Sequence, residues 1–228
     1  MANAVEKLNT IAITNIEKVN TITDANLEDL NTLEFTGVAP EAHTLISTHT
    51  ASSSSSLDIT SGIDSTYDVY EFHCINIHPQ NDGVAFSFQV NAYDPSAGTP
   101  QLTGFNETIT STAFDFWNSE SASAGNKSYN TGNDKAQISD SYQVVAESLA
   151  NDNDDSGGGI LTLYAPSSTT YMKHFTASFT SKYLSNYTYS INTAGYINTQ
   201  LAITQISFKV ASGNMDTGVI KMYGISKS

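Results

Sequence analysis

The sequence predicts an all-β protein, in which an antiparallel, jelly-roll-like sandwich is preceded by an N-terminal arm of 11-residue repeats. Only 14% of the 228 residues are charged, and Ser, Thr and Asn supply much of the polarity, a mixture typical of strands and turns. From residue 57 onward, apolar and polar residues alternate in short runs separated by turn residues. These runs do not alternate with helical patterns, so we expect antiparallel rather than parallel pairing.

The arm repeats one motif three times at a step of 11 residues. Glu-Lys-Leu-Asn-Thr-Ile at 6–11 returns as Glu-Lys-Val-Asn-Thr-Ile at 17–22 and as Glu-Asp-Leu-Asn-Thr-Leu at 28–33. An 11-residue period equals 3.67 residues per turn, so it favours a helix that keeps its apolar residues on one side. Short extended segments that turn at each Asn-Thr are the alternative.

The apolar stripe of the arm needs a partner, because a single thin segment has no interior in which to bury it. We therefore expect the arm to mediate oligomerisation or anchoring, by self-association or by docking on another protein. The residues expected to form this stripe are Val5, Leu8, Ile11, Ile16, Val19, Ile22, Leu27, Leu30 and Leu33.

The chain is predicted to contain three regions. These are the repeat-containing arm at 1–36, a Ser-rich connector at 37–56 and the β-sandwich domain at 57–228. The connector is assigned because it contains Gly37, Pro40 and five consecutive serines at 52–56, a composition typical of linkers.

Two runs near the start of the sandwich domain show the clearest strand pattern. The run 67–79 places Val69, Glu71, His73, Ile75 and Ile77 on one face. Both of its faces are largely apolar, which predicts a strand in the middle of a packed sheet. The run 83–95 alternates as a half-buried strand, and Asn81-Asp82-Gly83 between the two runs predicts a hairpin turn.

The last third of the chain continues this alternation. Strands are predicted at 159–165, 173–182, 187–192, 202–211 and 218–226, with a second hairpin turn at Gly213-Asn214. Residues 118–135 and 151–159 are predicted to be polar loops, and 136–149 fits either a strand or a short helix. The residues expected in the core are Phe72, Phe86, Phe88, Leu161, Phe175, Phe179, Ile206, Phe208 and Ile220.

The sequence carries no recognisable catalytic or metal-binding motif, so we expect a non-enzymatic protein without a cofactor or a metal. His73 and His78 lie five residues apart on one predicted strand and should face opposite sides. The segment 152–157 resembles the start of a calcium loop, but Leu163 occupies the position that requires a bidentate Glu. An acidic turn is therefore expected there, with weak calcium binding as the alternative. Trp117 is a candidate sugar-stacking residue on the surface, with a place in the core as the alternative.

Charge and composition exclude several classes of partner. The net charge of −14 argues against binding to nucleic acid or to an anionic membrane, because no basic stripe is present to contact phosphates. The single cysteine, Cys74, cannot form an internal disulfide. Neither a membrane-spanning apolar run nor a secretory signal is visible.

Three stretches of the chain resemble structural proteins of marine tailed bacteriophages, including cyanophages. They cover 67–94, 158–199 and 203–226, and the most distinctive part is Ala-Ser-Gly-Asn at 211–214 followed by Lys-Met-Tyr-Gly-Ile at 221–225. Proteins of this kind often carry an N-terminal Lys-Val/Ile-Asn repeat, but here the repeats read Asn-Thr where Asn-Gly is frequent. That difference favours a helical arm over a turn-based one.

The resemblance implies a virion component and supplies no catalytic residues. We expect a trimeric fibre- or knob-type appendage, whose arm anchors it to other virion proteins and whose sandwich is displayed outward. Release of phage proteins by lysis agrees with the lack of a visible signal peptide. The alternatives are a capsid decoration (cement) protein and a carbohydrate-binding module that recognises a receptor glycan on the host surface.

The role of the arm can be tested by replacing Ile11, Val19 and Leu30 with Asp. Charges in the apolar stripe should abolish the oligomer and leave the sandwich folded, because the stripe belongs only to the arm. Light scattering on wild type and variant at matched concentration measures the mass. A variant that keeps the wild-type oligomeric mass would contradict an oligomerising arm, and a monomeric wild type would favour docking on another protein.

Overall fold

The computed structural model describes residues 43–97, 101–121, 124–138 and 141–225, together with the backbone of residues 18–19 and 22–23 in the arm. Within these residues every regular element is a β-strand. The chain divides into two units, residues 1–42 and residues 43–228. The all-β fold class predicted from the sequence is therefore confirmed for the described residues.

The four described residues of the arm form two short strands, β1 (Lys18–Val19) and β2 (Ile22–Thr23). They pair antiparallel, with Val19 opposite Ile22. The backbone is extended at these positions and not helical, so here the structure departs from the helix that the period favours. It agrees with the alternative of short extended segments separated by Asn-Thr. The other stripe positions, Val5, Leu8, Ile11, Ile16, Leu27, Leu30 and Leu33, lie outside the described residues.

In its described residues the second unit contains thirteen antiparallel strands, which hydrogen bonds link into one continuous sheet. This sheet forms a sandwich of two layers, called the larger and the smaller sheet below. The strands are β3 (His43–Ser54), β4 (Leu57–Ile59), β5 (Val69–Pro79), β6 (Val84–Tyr93), β7 (Ile109–Ser119), β8 (Gly125–Tyr129), β9 (Lys135–Ile138), β10 (Gln143–Leu149), β11 (Gly157–Tyr164), β12 (Lys173–Tyr183), β13 (Tyr187–Ile197), β14 (Ala202–Val210) and β15 (Met215–Ile225). The larger sheet has the order β3-β15-β5-β11-β12-β13-β7, and β7 also pairs with β8 and β9. The smaller sheet has the order β10-β6-β14-β4. One residue pair, Leu149 with Tyr183, joins the two sheets.

Phenylalanine side chains fill the space between the two sheets. Phe72 of the larger sheet lies 5.7 Å from Phe208 of the smaller one, measured between ring centroids. Phe88 and Phe175 make a similar contact at 5.2 Å, with their planes nearly perpendicular. All nine residues predicted for the core are buried, which confirms the alternation read from the sequence.

The connector predicted at 37–56 is corrected by the structure. Residues 43–54 form β3, an edge strand that pairs with β15 from His43 to Ser54. The serine-rich sequence resembles a linker because only Ala51 of this strand is fully buried. Pairing depends on backbone groups that β15 offers, and these are not visible in the local sequence.

The two predicted hairpin turns reverse the chain, but they do not form hairpins. Gly83 and Gly213 adopt positive φ values of 68° and 71°, as tight turns require. The flanking strands nevertheless belong to opposite sheets, because β5 and β15 lie in the larger sheet and β6 and β14 in the smaller one. The two corners are joined to each other by a hydrogen bond of 2.8 Å from the Gln80 amide to the Asn214 carbonyl.

The predicted face of β5 is wrong at Ile77. Asn76 has a φ of 50°, and the pairing of β5 with both of its neighbours shifts register at this point. Such an irregularity adds one residue and reverses the alternation beyond it. Ile77 is therefore buried at 1% exposure, whereas Glu71, His73 and Ile75 stay on the outer face. That outer face is partly open and not covered as the apolar pattern suggested.

Three further differences lie in the middle of the chain. β7 was not anticipated, although it pairs with β13 along its whole length. The loop predicted at 118–135 contains β8, which pairs with β7. The ambiguous segment 136–149 contains β10 and most of β9, so it forms strands and not a helix. Ser, Thr and Asn make up seven of the sixteen residues of β7 and β8, so the alternation of these two strands is weak in hydrophobicity alone.

Two truncations test whether β3 belongs to the sandwich. Removing residues 1–42 should leave the urea midpoint of the sandwich unchanged, because the second unit begins at His43. Removing residues 1–56 should lower that midpoint, because it deletes β3 and exposes the backbone edge of β15. Circular dichroism in urea compares the two, and equal midpoints would contradict the assignment of β3.

Candidate functional site

The outer face of the larger sheet carries an open depression, here called the outer trough. Its floor consists of small side chains from β12 and β13, which alternate with buried core residues and therefore point away from the core. The floor residues are Thr176, Ser178, Thr180, Ser190, Asn192 and Ala194.

Larger apolar side chains flank this floor on both sides. Phe114 and Phe116 of β7 are 48% and 45% exposed, and the ring of Tyr129 lies 5.3 Å from that of Phe114. Ile160 of β11 forms the opposite wall. The pairing register aligns Ile160, Ser178, Asn192 and Phe114 in one row across four strands. The two walls are thus three interstrand spacings apart, about 14 Å.

The trough contains two neighbouring hollows. One of about 510 Å³ lies among Phe114, Ile160, Ser178 and Asn192. The second, of about 610 Å³, continues along β12 towards Lys182 and is lined by Gly158 on the β11 side. A Cβ atom at position 158 would lie only 3.0 Å from the carbonyl oxygen of Cys74, which is closer than an ordinary contact. Glycine fits here without a side chain, so no side chain rises from this part of the β11 wall.

Most polar groups of the floor are available for a ligand. Within the described residues, no hydrogen bond links the side chains of Ser178, Thr180, Ser190 or Asn192 to another protein group. Thr176 differs, because its hydroxyl lies 3.3 Å from that of Tyr164. Each free hydroxyl or amide can both donate and accept a hydrogen bond.

Charged side chains mark the two ends of the trough. At one end Lys182 donates to Asp155 at 3.3 Å and lies 3.6 Å from Glu120. Desolvation lowers the pKa of Lys182, but the hydrogen bond to Asp155 and both carboxylate charges outweigh this and raise it. Asp155 belongs to the calcium-like segment 152–157, so one oxygen of that segment already contacts a lysine.

Glu71 lines the hollow at the other end, and its carboxylate contacts a histidine pair that lies on the far side of the β11 wall, since His73 is opposite Ile160 in register. The Nε2 atoms of His73 and His43 lie 2.9 Å and 3.3 Å from the same oxygen of Glu71. His73 also packs against the ring of Tyr223, with 4.7 Å between centroids. The prediction that His73 and His78 face opposite sides is wrong, because the irregularity at Asn76 reverses the alternation and places both on the outer face. His78 takes no part in the group around Glu71.

Trp117 lies on the opposite side of β7 from the trough. It shares that side with the buried Asp115, and its ring contacts Tyr187 edge-on at 4.9 Å. The exposed aromatic residues of β7 are Phe114 and Phe116, which the sequence analysis did not single out. Phe114 and Phe116 alternate with Ala113 and Asp115, which are buried. Once β7 is recognised as a strand, this alternation places both phenylalanines on the outer face. The predicted arm residues lie outside the described residues, except for the backbone of Val19 and Ile22.

A buried polar network lies on the inner side of β7. Asp115 accepts hydrogen bonds from Tyr189 at 2.7 Å and from Asn130 at 3.0 Å. Glu147 accepts one from Asn133 at 2.6 Å and lies 3.3 Å from the Tyr189 hydroxyl. Burial, the hydrogen bond to Asp115 and the nearby carboxylates raise the pKa of Tyr189. Both carboxylates are thus engaged by neighbouring side chains, which fits a structural role for this network.

Lys173 is a second buried polar group that sequence reasoning missed. Its side chain is fully buried, and its ammonium group donates to the carbonyl of Thr199 at 3.0 Å. Burial lowers the pKa of Lys173 to about 8, although the charge of Glu107 acts in the opposite direction. Lys173 lies on the inner face of β12, away from the outer trough.

In the described part of the chain, no group of three or more His, Cys, Asp or Glu side chains is arranged to hold a metal ion. The same residues include no helix that is long and apolar enough to cross a membrane. Comparisons with protein-family models, curated proteins and solved structures return no match to this chain.

The pKa of Lys173 predicts a pH dependence of stability. Between about pH 8 and the ordinary lysine value of 10.5, the unfolded chain binds a proton that the native chain lacks. The free energy of unfolding should therefore rise with pH in this window, and Lys173→Met should remove that part of the rise. Urea unfolding of both proteins at several pH values measures the difference, and identical pH profiles would contradict the assignment.

Proposed function

We propose that this chain is a non-enzymatic structural protein of a bacteriophage virion, a trimeric fibre- or knob-type appendage with an outward-facing jelly roll. The observation that carries the proposal is the strand order of the sandwich. The arm is proposed to supply attachment and trimerisation. Other virion proteins are then its partners, and the virion is its location.

The strand order supports a jelly roll because consecutive strands of the framework change sheets. The chain crosses between sheets from β3 to β4, β5 to β6, β10 to β11 and β14 to β15. The framework then consists of two four-stranded sheets, β3-β15-β5-β11 and β10-β6-β14-β4, as in the double Greek key of jelly rolls. β7 to β9 and β12 to β13 are insertions that extend the larger sheet. Jelly rolls are common in viral capsid proteins and in lectins.

The position of the arm in the sequence supports an appendage. The arm precedes β3 in the sequence, and β3 is an edge strand of the sandwich. The resemblance to structural proteins of marine tailed phages points to the same class. The trimer is inferred from that resemblance, because fibres of this type are commonly trimeric.

The non-enzymatic role is supported by the state of the buried ionisable groups. Asp115 and Glu147 accept hydrogen bonds inside the polar network, and Lys173 donates to a backbone carbonyl. The thiol of Cys74 is buried, and burial raises its pKa, which opposes the nucleophilic thiolate. None of these groups lies in an open cleft with a free atom that could act as a nucleophile, acid or base on a substrate.

Labelling of virus particles tests this proposal. Gold-labelled antibodies against residues 43–228 should bind purified particles of the phage that encodes the chain, at a fibre, neck or tail structure. Particles carrying a chain without residues 1–42 should lose the label, because the proposed anchor is missing. Label spread evenly over the capsid would instead identify a decoration protein. Absence of label from purified wild-type particles would exclude a virion role.

A further inference from the structure

We infer that the outer trough binds an uncharged glycan chain, laid along β12 and β13 between Ile160 and the rings of Phe114 and Phe116. The inference rests on the proposed function in one respect, since a displayed domain meets ligands outside the particle. The site itself is defined by the trough residues alone.

The floor offers the hydrogen-bonding groups that a sugar requires. Ser178, Thr180, Ser190 and Asn192 are free of protein partners among the described residues. They extend along two adjacent strands, and the trough from Thr176 to its end at Lys182 spans six residue steps, about 20 Å. Sugar hydroxyls both donate and accept, as do these side chains, so a chain of several sugar units could be matched group by group.

The walls offer the apolar contact that sugar rings also make. Phe114 and Phe116 are nearly half exposed on an outer face. Pyranose rings have a C–H face that packs on an aromatic ring, and the large flat side chain supplies this contact at low entropic cost. The ring of Tyr129, opposite Phe114 on β8, packs against the Phe114 ring and adds to the aromatic surface of this wall. An aromatic wall beside a hydroxyl-rich floor therefore combines both parts of sugar recognition.

The charge distribution selects a neutral glycan over an anionic one. All six floor residues are uncharged. Lys182 at one end is already paired with Asp155 and Glu120, and Glu71 lies at the other end. Lys127 pairs in register with Phe116 and so lies one strand outside the wall. A sulfated or carboxylated chain would find no cation along the floor and would be repelled by a protein of net charge −14.

The polar floor argues against a second copy of this chain as the occupant. Stable homodimer interfaces have an apolar core, whereas the centre of the trough presents unpaired hydroxyl and amide groups. Burying those groups against a protein surface costs free energy unless each finds a partner. A flexible glycan, rich in hydroxyls, pairs them more readily than a rigid protein surface.

The test uses the full-length protein on an immobilised panel of neutral, sulfated and uronic-acid oligosaccharides. Wild type should bind neutral members of the panel. Phe114→Ala and Asn192→Ala should each weaken that binding about tenfold or more, because one removes the stacking ring and the other a central floor group. Tyr171→Ala is the matched control, since this tyrosine is 74% exposed in the loop between β11 and β12. Thermal unfolding of every variant checks that the sandwich stays folded.

Several outcomes would overturn the inference. These are failure of wild type to bind any neutral glycan, binding confined to charged glycans, and binding unaffected by Phe114→Ala and Asn192→Ala in folded protein. A change in oligomeric mass caused by these variants would instead identify the trough as a protein interface. The binding assay needs no virus particle, so its result is separable from the antibody labelling that tests the virion role.

Discussion

The two sheets are held together by one layer of phenylalanine rings buried between them, and the other features depend on that layer. Phe208 contacts Phe72 of the opposite sheet and Phe86 of its own, and all three are fully buried. Removing a ring of this kind typically costs about 3–5 kcal/mol, a large part of the stability of an ordinary domain. The single residue pair that joins the sheets through backbone could not replace this contact.

Burial of one face of each sheet leaves two outer faces, and these differ in their exposure to solvent. On the smaller sheet the outward side chain of Gln89 is covered, and it donates to the carbonyls of Glu107 and Ser141 at 3.1 and 3.2 Å. On the larger sheet the outward side chains of β12 and β13 remain open to solvent. Segments that follow β6 and precede β10 thus cover Gln89, whereas the outer trough stays open to solvent.

The proposed role as a virion appendage and the inferred glycan site use separate parts of the chain. Attachment is assigned to the arm, and ligand contact to the outer face of the larger sheet. The fully buried polar groups, such as Lys173 and Asp115, take part in neither and serve the packing of the sandwich. This division would let the ligand-binding face vary in sequence while the framework strands and the phenylalanine layer stay the same.

The sequence alone determined the strand periodicity, the nine core residues and the positions of the turns at Gly83 and Gly213, because these depend on neighbouring residues. Only the tertiary structure decided which sheet a strand joins after its turn, since that choice depends on distant backbone partners. The same reason explains why β3 resembled a linker and why β7 was missed. The outer trough combines β7, β11, β12 and β13, so its rows of side chains exist only through their register. Local alternation shows which residues point outward, but only the pairing of strands brings Phe114, Asn192 and Ile160 into one site.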